Sequence, residues 1–294
     1  MLQLKRLGAW RRHERRWRDH HYVYAVVSRR SRGISVGINL NPGKACNFDC
    51  VYCQVNRREL PARKRVALEL LADELERVLE AERDGSLYES FPFSVLDGEE
   101  RGVRDLAFSG DGEPTSFRGF GEAVRIAAAA RRRHGLDSSR LVLITNAAFL
   151  GKPSVKSALA VLDENNGEIW AKLDAGTEEH FRRVNRAGIP LETILGNILD
   201  AARVRPVVIQ TLWFRLNGSV PSGHELKEYC SRLSELVAAG ASIKNIQLYT
   251  IARDPAEKCA VPLKDVELNA VAEAVRARVD IPIEIFYGAP PAER

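Results

Sequence analysis

Residues 33–53 read GISVGINLNPGKACNFDCVYC, and the two halves of this stretch carry different information. The first half, 33–39, is an apolar run of strand length containing β-branched residues. The second half packs Cys46, Cys50 and Cys53 into eight residues of a polar loop. Beyond that loop, 67–83 (ALELLADELERVLEAER) repeats its apolar residues at the spacing of an amphipathic helix. Strand, polar loop and helix form the opening unit, and the rest of the chain repeats that order.

Upstream, 23–28 reads as a strand joined to 33–39 through the polar turn 29–32. Downstream, strand 104–108 runs into a glycine-rich turn, SGDGEPT (109–115), and a helix at 120–133. Strand 141–145 precedes helix 154–162, and strand 168–173 precedes helical segments at 178–184 and 191–202. Strand 206–214 leads to helix 223–238, strand 246–250 to a mostly helical 263–279, and 282–286 is a last short strand. Alternation of this kind implies a parallel α/β sheet with right-handed crossovers. Six βα units from Gly33 are too few for a closed eight-stranded barrel, which leaves a partial barrel or a doubly wound sheet. In either, ligands bind beyond the carboxyl ends of the strands, where the polar motifs of this chain fall. No solenoid repeat or low-complexity segment interrupts the pattern. The expected division is 1–32, a basic helical arm with the first strand of a β-hairpin, and 33–294, the α/β domain.

The formal net charge of +5 is unevenly spread. Residues 1–32 hold ten Lys/Arg against two Asp/Glu, a local +8, while the other 262 carry 34 against 37, or −3. The body is therefore slightly acidic, which argues against a nucleic-acid footprint over the whole surface. No apolar run approaches the ~18 residues of a membrane span, and the arginine-rich N-terminus lacks the apolar core of a signal peptide. A cytoplasmic protein is expected. Five cysteines, three of them in one loop, do not look like a secreted disulfide framework; clustered thiols in a reducing compartment more often bind metal.

A [4Fe–4S] cube normally takes four thiolates. Three from Cys46, Cys50 and Cys53 would leave one iron open to a small ligand bearing an amino group and a carboxylate. A structural zinc site needs a fourth ligand, often from a second cysteine pair. There is none, and no histidine lies within twenty residues of the three cysteines.

CNFDCVYC, with Tyr52 before the last cysteine, resembles the CxxxCxxC signature of radical S-adenosylmethionine (SAM) enzymes, and the resemblance covers roughly 33–288. It implies a partial (βα)6 barrel, a [4Fe–4S] cluster on Cys46, Cys50 and Cys53, and SAM chelated at the open iron. It implies reductive cleavage to a 5′-deoxyadenosyl radical that abstracts hydrogen from a substrate not identified by the sequence. An electron donor such as flavodoxin or ferredoxin is implied as well. By the same resemblance, the backbone beside Tyr52 contacts adenine. Gly112 and Glu113 match the family's Gly-Gly-Glu motif for the cofactor's amino group, with Asp111 in place of the first glycine. Asn146, Lys172, Asp174 and Gln210, at strand ends, resemble ribose- and carboxylate-contacting positions. The family's glycine-rich motif on the fifth strand is not visible in VVIQTLWF.

SVGINLNP, FSGDGEPT and QLYTIARDPAEK resemble small radical enzymes grouped with the wybutosine tRNA-modification enzymes, which would make tRNA the substrate. Those enzymes add cysteines N-terminal to the main motif, and residues 1–45 contain none. Cys230 reads as core within a helix, and a reactive-thiol role stays open for Cys259. In the arm, Leu4, Leu7, Trp10 and Trp17 fall near one helical face amid arginines. This pattern suits RNA, an anionic membrane surface, or tryptophans packed on the barrel. From a different class, a zinc-stabilised RNA-binding module is the competing reading, but it leaves the polar strand ends without a common purpose.

Overall fold

The computed structural model describes residues 8–9, 17–61 and 63–288. Two compact units share the chain. One holds the described residues up to Cys46, with Glu59–Ile144 and Lys152–Glu168; the other holds Asn47–Arg58, Thr145–Gly151 and the chain from Ile169 on.

In the first unit, β1 (Val23–Ser28) and β2 (Gly33–Ile38) form an antiparallel hairpin with Ser28 opposite Gly33. Ser28 and Ser31 close its turn through their hydroxyls, 3.0 Å apart. Helix α1 (Leu68–Arg83) buries Leu71, Leu75, Val78 and Leu79, the helical stripe legible in the sequence. Each such side chain contributes about 1.5–3 kcal/mol of burial. The same face carries Glu74, which is buried and accepts the backbone N–H groups of His21, Tyr22 and Val23 at 2.8–3.0 Å. A carboxylate with three donors is well satisfied, and it fixes where β1 begins. β3 (Val103–Phe108), α2 (Phe120–Arg133), β4 (Arg140–Thr145) and α3 (Pro153–Asp163) follow. β2, β3 and β4 pair in parallel.

The second unit takes most of β5 (Gly167–Lys172), then α4 (Glu178–Asn185), α5 (Leu191–Ala202), β6 (Val207–Leu212), β7 (Phe214–Leu216) and α6 (Gly223–Ala238). It ends with β8 (Ile243–Tyr249), β9 (Ala260–Pro262), α7 (Asp265–Arg276) and β10 (Ile283–Phe286). β5–β6, β6–β8 and β8–β10 are parallel. The eight main strands run β1-β2-β3-β4-β5-β6-β8-β10. Strand order follows chain order, with six βα units from β2 and one closing strand. This is the mixed α/β architecture of a partial (βα)6 barrel, and the doubly wound alternative falls away.

One expected strand divides. Across Leu212, Trp213 and Phe214 the run 206–214 shows no break in hydrophobicity, but β6 ends at Leu212 and Phe214 begins β7, which pairs antiparallel with β9 in a separate two-stranded sheet. The hinge at Trp213 stays tied to β8 through its N–H and the Tyr249 carbonyl, 2.9 Å. Leu212 and Phe214 pack in one core with Val51, Val184, Ile251 and Ala260, so an apolar run is needed on both sides of the bend.

Of the basic arm, Leu4, Leu7 and Trp10 lie outside the described residues. Trp17 precedes a turn, with the Arg18 guanidinium 4.4 Å over its ring and His20 edge-on at 4.8 Å. Cys230 is buried in α6, as expected of a core thiol. Among the described residues no helix is long and apolar enough to cross a membrane.

Candidate functional site

In the first unit, β3 delivers the chain into 109–115. Gly110 has φ +150, and a Cβ there would stand 2.5 Å from the Asn39 amide oxygen. Gly112 is tighter: its Cβ would come 2.1 Å from the carbonyl oxygen of Ala45, the residue before Cys46. Only glycine lets two backbones meet this closely. Asn39, just past β2, holds the turn by donating to Asp111 Oδ2 at 2.7 Å and accepting the Asp111 N–H at 3.2 Å. Glu113 is buried and accepts from the Thr115 hydroxyl (2.5 Å) and N–H (3.2 Å), capping a short 3-10 turn at Pro114–Ser116. Asn39 was not singled out from the sequence, although a polar residue directly after a strand is the signal that marked Asn146.

In the second unit, the cysteine loop from Asn47 on is pinned to the end of α4. Asp49 and Val51 donate their N–H groups to the carbonyls of Asn185 (3.2 Å) and Val184 (3.0 Å). Phe48 meets Phe181 edge-to-face at 5.6 Å, and the Cys53 carbonyl accepts the Ala256 N–H at 2.9 Å. Asn146, after β4, donates to Asn47 at 2.9 Å and accepts the Ala148 N–H at 3.0 Å. Its place is thus beside the loop, between Cys46 and Cys50 in sequence.

From this loop a half-buried polar network extends, with Asp174 and Asn185 its buried members. Tyr52 Oη donates to Asp174 Oδ2 at 2.5 Å, and Asp174 also accepts the Leu212 N–H at 2.8 Å. Lys172 Nζ lies 3.2 Å from Asp174 and 2.6 Å from the Tyr249 hydroxyl, about 5 Å above the rings of Tyr52 and Tyr249. Asn185 Nδ2 donates to Tyr52 Oη at 2.8 Å and to Cys50 Sγ at 3.6 Å. Burial opposes the charge on Lys172, but Asp174 and Tyr249 outweigh it, and its pKa stands above the ordinary lysine value. Burial and Asp174 push Tyr52 well up, which keeps its proton for the bond to Asp174. Burial likewise holds the Cys50 thiol up, at about 12.

Lys172, Gln210, Gln247 and Glu284 are register partners across β5, β6, β8 and β10. Thr211 Oγ1 meets Tyr229 Oη of α6 at 2.5 Å, so strand alternation turns Gln210 to the opposite face. There Gln210 donates to Gln247 at 2.7 Å, and its own Oε1 is buried with no partner. Of the residues singled out from the sequence, Tyr52, Lys172 and Asp174 meet directly, and Gln210 shares the row of Lys172. Asn185, Tyr249 and Gln247 were not singled out. Asn185 closes an amphipathic run and carries no local signal, whereas Gln247 and Tyr249 alternate within a buried strand and could have been found by period.

Among the described residues no three His, Cys, Asp or Glu side chains are grouped as a metal site. The donor chemistry nonetheless fits an iron–sulfur cube. Cysteine sulfur is the usual ligand, and two sulfurs already receive N–H donors: Cys50 from Asn185, and Cys53 from Arg57 Nη1 at 3.2 Å.

A Brachyspira hyodysenteriae protein named GTPase Obg is 23% identical over 265 residues, covering 90% of this chain and 35% of its own length. A UPF0026 protein of Synechocystis is 30% identical over 179 residues, 60% of this chain and 57% of its own. The chain therefore spans well under two thirds of either relative. Two solved structures share the fold. A radical SAM methyltransferase from Sphaerobacter thermophilus has a TM-score of 0.62 at 12% identity, over 90% of this chain and 69% of its own. A TYW1 with a lysine-pyruvate adduct bound has 0.51 at 17%, over 84% and 74%. The Radical SAM superfamily model matches residues 40–217, more than half of the chain, and includes the cysteine loop, the 109–115 turn and the Lys172–Asp174 strand end. The chain belongs to the radical SAM superfamily.

Proposed function

We propose that this chain is a radical SAM enzyme that holds a [4Fe–4S] cluster on Cys46, Cys50 and Cys53 and binds SAM beside it. The observation that carries this reading is the continuity of the second unit's polar network. Hydrogen bonds link Cys50 to Asn185, Tyr52, Asp174 and Lys172 without a break. A small ligand at these cysteines would meet a fixed cation and a fixed carboxylate, suited to its own carboxylate and its hydroxyls. The chemistry these groups supply when bound is one-electron cleavage of the sulfonium carbon–sulfur bond, with hydrogen abstraction by the resulting 5′-deoxyadenosyl radical.

The chain's own residues bind and orient. Lys172 keeps its proton at any physiological pH and offers charge to a carboxylate. Asp174 accepts, Tyr52 donates, and the open Oε1 of Gln210 is an acceptor for an amino N–H. In the first unit, Glu113 is an acceptor for an ammonium group, and Gly112 permits backbone approach. Asn146 steadies the loop through Asn47. Reducing equivalents would come from a small electron carrier such as flavodoxin or ferredoxin. Anaerobic reconstitution followed by iron, sulfide and zinc analysis tests the reading. The expected result is about four irons and four sulfides per chain, lost in Cys46→Ala, Cys50→Ala and Cys53→Ala. Stoichiometric zinc without sulfide would overturn it.

A further inference from the structure

We propose that Arg57 and Asn185 raise the reduction potential of the cluster by donating hydrogen bonds to the sulfurs of Cys53 and Cys50. This rests on the cluster reading above and assigns the two residues a tuning role within it.

Arg57 lies four residues past Cys53 on the same loop, partly buried, with Nη1 3.2 Å from Cys53 Sγ. A neutral thiol is a weak acceptor and gives a guanidinium little reason to leave water. A thiolate in an iron–sulfur cube carries negative charge and is a far better partner for a permanently charged group. Asn185, at the end of α4 and almost fully buried, donates instead to Cys50 Sγ, at 3.6 Å. Its amide orientation is fixed by its neighbours. Nδ2 faces Cys50 Sγ, Tyr52 Oη and Asp174 Oδ2, while Oδ1 is buried with no partner. Turned over, the amide would set its oxygen against a carboxylate and a sulfur, while the Tyr52 proton is already given to Asp174. The donor side therefore points at the sulfur.

The electrostatic consequence has a definite sign. Reduction adds one negative charge to the cluster, and hydrogen bonds to its sulfurs help set its potential. An N–H dipole aimed at a ligand sulfur favours the added electron, and a guanidinium favours it more because it brings a full charge. Both donors make the cluster easier to reduce, with Arg57 the stronger.

The test is a redox titration of the reconstituted holoenzyme followed by electron paramagnetic resonance, on wild type, Arg57→Lys and Arg57→Gln, with iron counted in each. The midpoint should fall in that order. For Arg57→Gln, a tenfold lower ratio of reduced to oxidised cluster at fixed potential is expected, equivalent to about 59 mV for a one-electron couple. An Arg57→Gln midpoint equal to or above wild type, with the iron count unchanged, overturns the inference alone. Wild type that takes up no iron and sulfide overturns the cluster reading and this inference with it. A second measurement needs no variant: the reduced wild-type cluster should show coupling to exchangeable protons that disappears in deuterium oxide. Absence of that coupling removes the proposed donors.

Discussion

The 109–115 turn of the first unit and the Tyr52–Asp174–Lys172 network of the second are built by opposite means. The turn is made of backbone: glycines bring two chain segments into contact, and one asparagine side chain, Asn39, ties them. The network is made of side chains from the cysteine loop, the end of β5, the end of α4 and β8, paired around the buried Asp174 and Asn185. A backbone-built site fails when atoms are added. A side-chain-built site fails when a charge is left without its partner.

The largest effect should follow from adding atoms to the turn. Gly112→Val forces the Ala45 carbonyl away and shifts the backbone of Cys46, so both thermal stability and iron uptake should drop. Overpacking typically costs ~1–3 kcal/mol and occasionally more, and a Cβ 2.1 Å from a backbone oxygen that cannot rotate aside belongs among the exceptional single substitutions above ~4–5 kcal/mol. Gly188→Ala in the second unit, where a Cβ meets nothing within 4 Å, should stay within ~0.5 kcal/mol. Equal melting of the two variants would break the contrast.

Removing charge from the network should come next. Asp174→Asn leaves Lys172 without its counter-ion in a site where burial already opposes the charge, and breaking such a pair costs ~3–5 kcal/mol. Adding Lys172→Met should recover much of that loss in urea unfolding. If the double variant is less stable than Asp174→Asn alone, the pair is not the unit of stability proposed here.

A smaller effect is expected at Glu113. Glu113→Ala should weaken SAM binding to the holoenzyme by ~1.5–3 kcal/mol, the size of a lost charge-assisted hydrogen bond, with iron content unchanged. Glu113→Gln keeps an acceptor for Thr115 and should lose only the charge-dependent part. Loss of iron in both would mean that the residue is purely structural.

The mildest test compares one buried histidine from each unit. Burial is the main cause holding the pKa of both His20 and His180 below the ordinary value of 6.5. Below that value the unfolded chain binds protons that the folded chain resists. Stability is therefore full above about pH 6.5 and falls as the pH drops through it. His20→Asn and His180→Asn should each flatten the acid limb of a melting-temperature profile. An unchanged slope in both would show that neither burial matters.

Much of the molecule was legible in the sequence because local pattern and tertiary role coincide. α2, α5 and α6 lie where hydrophobic period places them, since each buries one face, and β1 lies where its continuous apolar run places it, since it is buried on both. The turn at 109–115 was legible because glycine and proline are themselves the signal. What escaped depends on partners far along the chain. Nothing in VVIQTLWF shows that Phe214 leaves the main sheet, because its new partner, Pro262, lies 48 residues away. The short 3-10 turns between Ser86 and Glu100 have no period long enough to detect. Lys172 and Asp174 stand out in the sequence as a strand-end pair, and Tyr249 is in phase with Gln247 on a buried strand, but the bonds that join them and the closing partner Asn185 follow only from the folded chain.

The central claim meets its most direct test in one assay. Anaerobically reconstituted wild-type protein, reduced and supplied with SAM, is followed for 5′-deoxyadenosine by mass spectrometry, beside Cys46→Ala, Cys50→Ala and Cys53→Ala. The account predicts slow but steady 5′-deoxyadenosine formation by the wild type even without substrate, and none above background in any cysteine variant. A wild-type protein with a full cluster that forms no 5′-deoxyadenosine under reduction would contradict it, as would undiminished formation by all three variants.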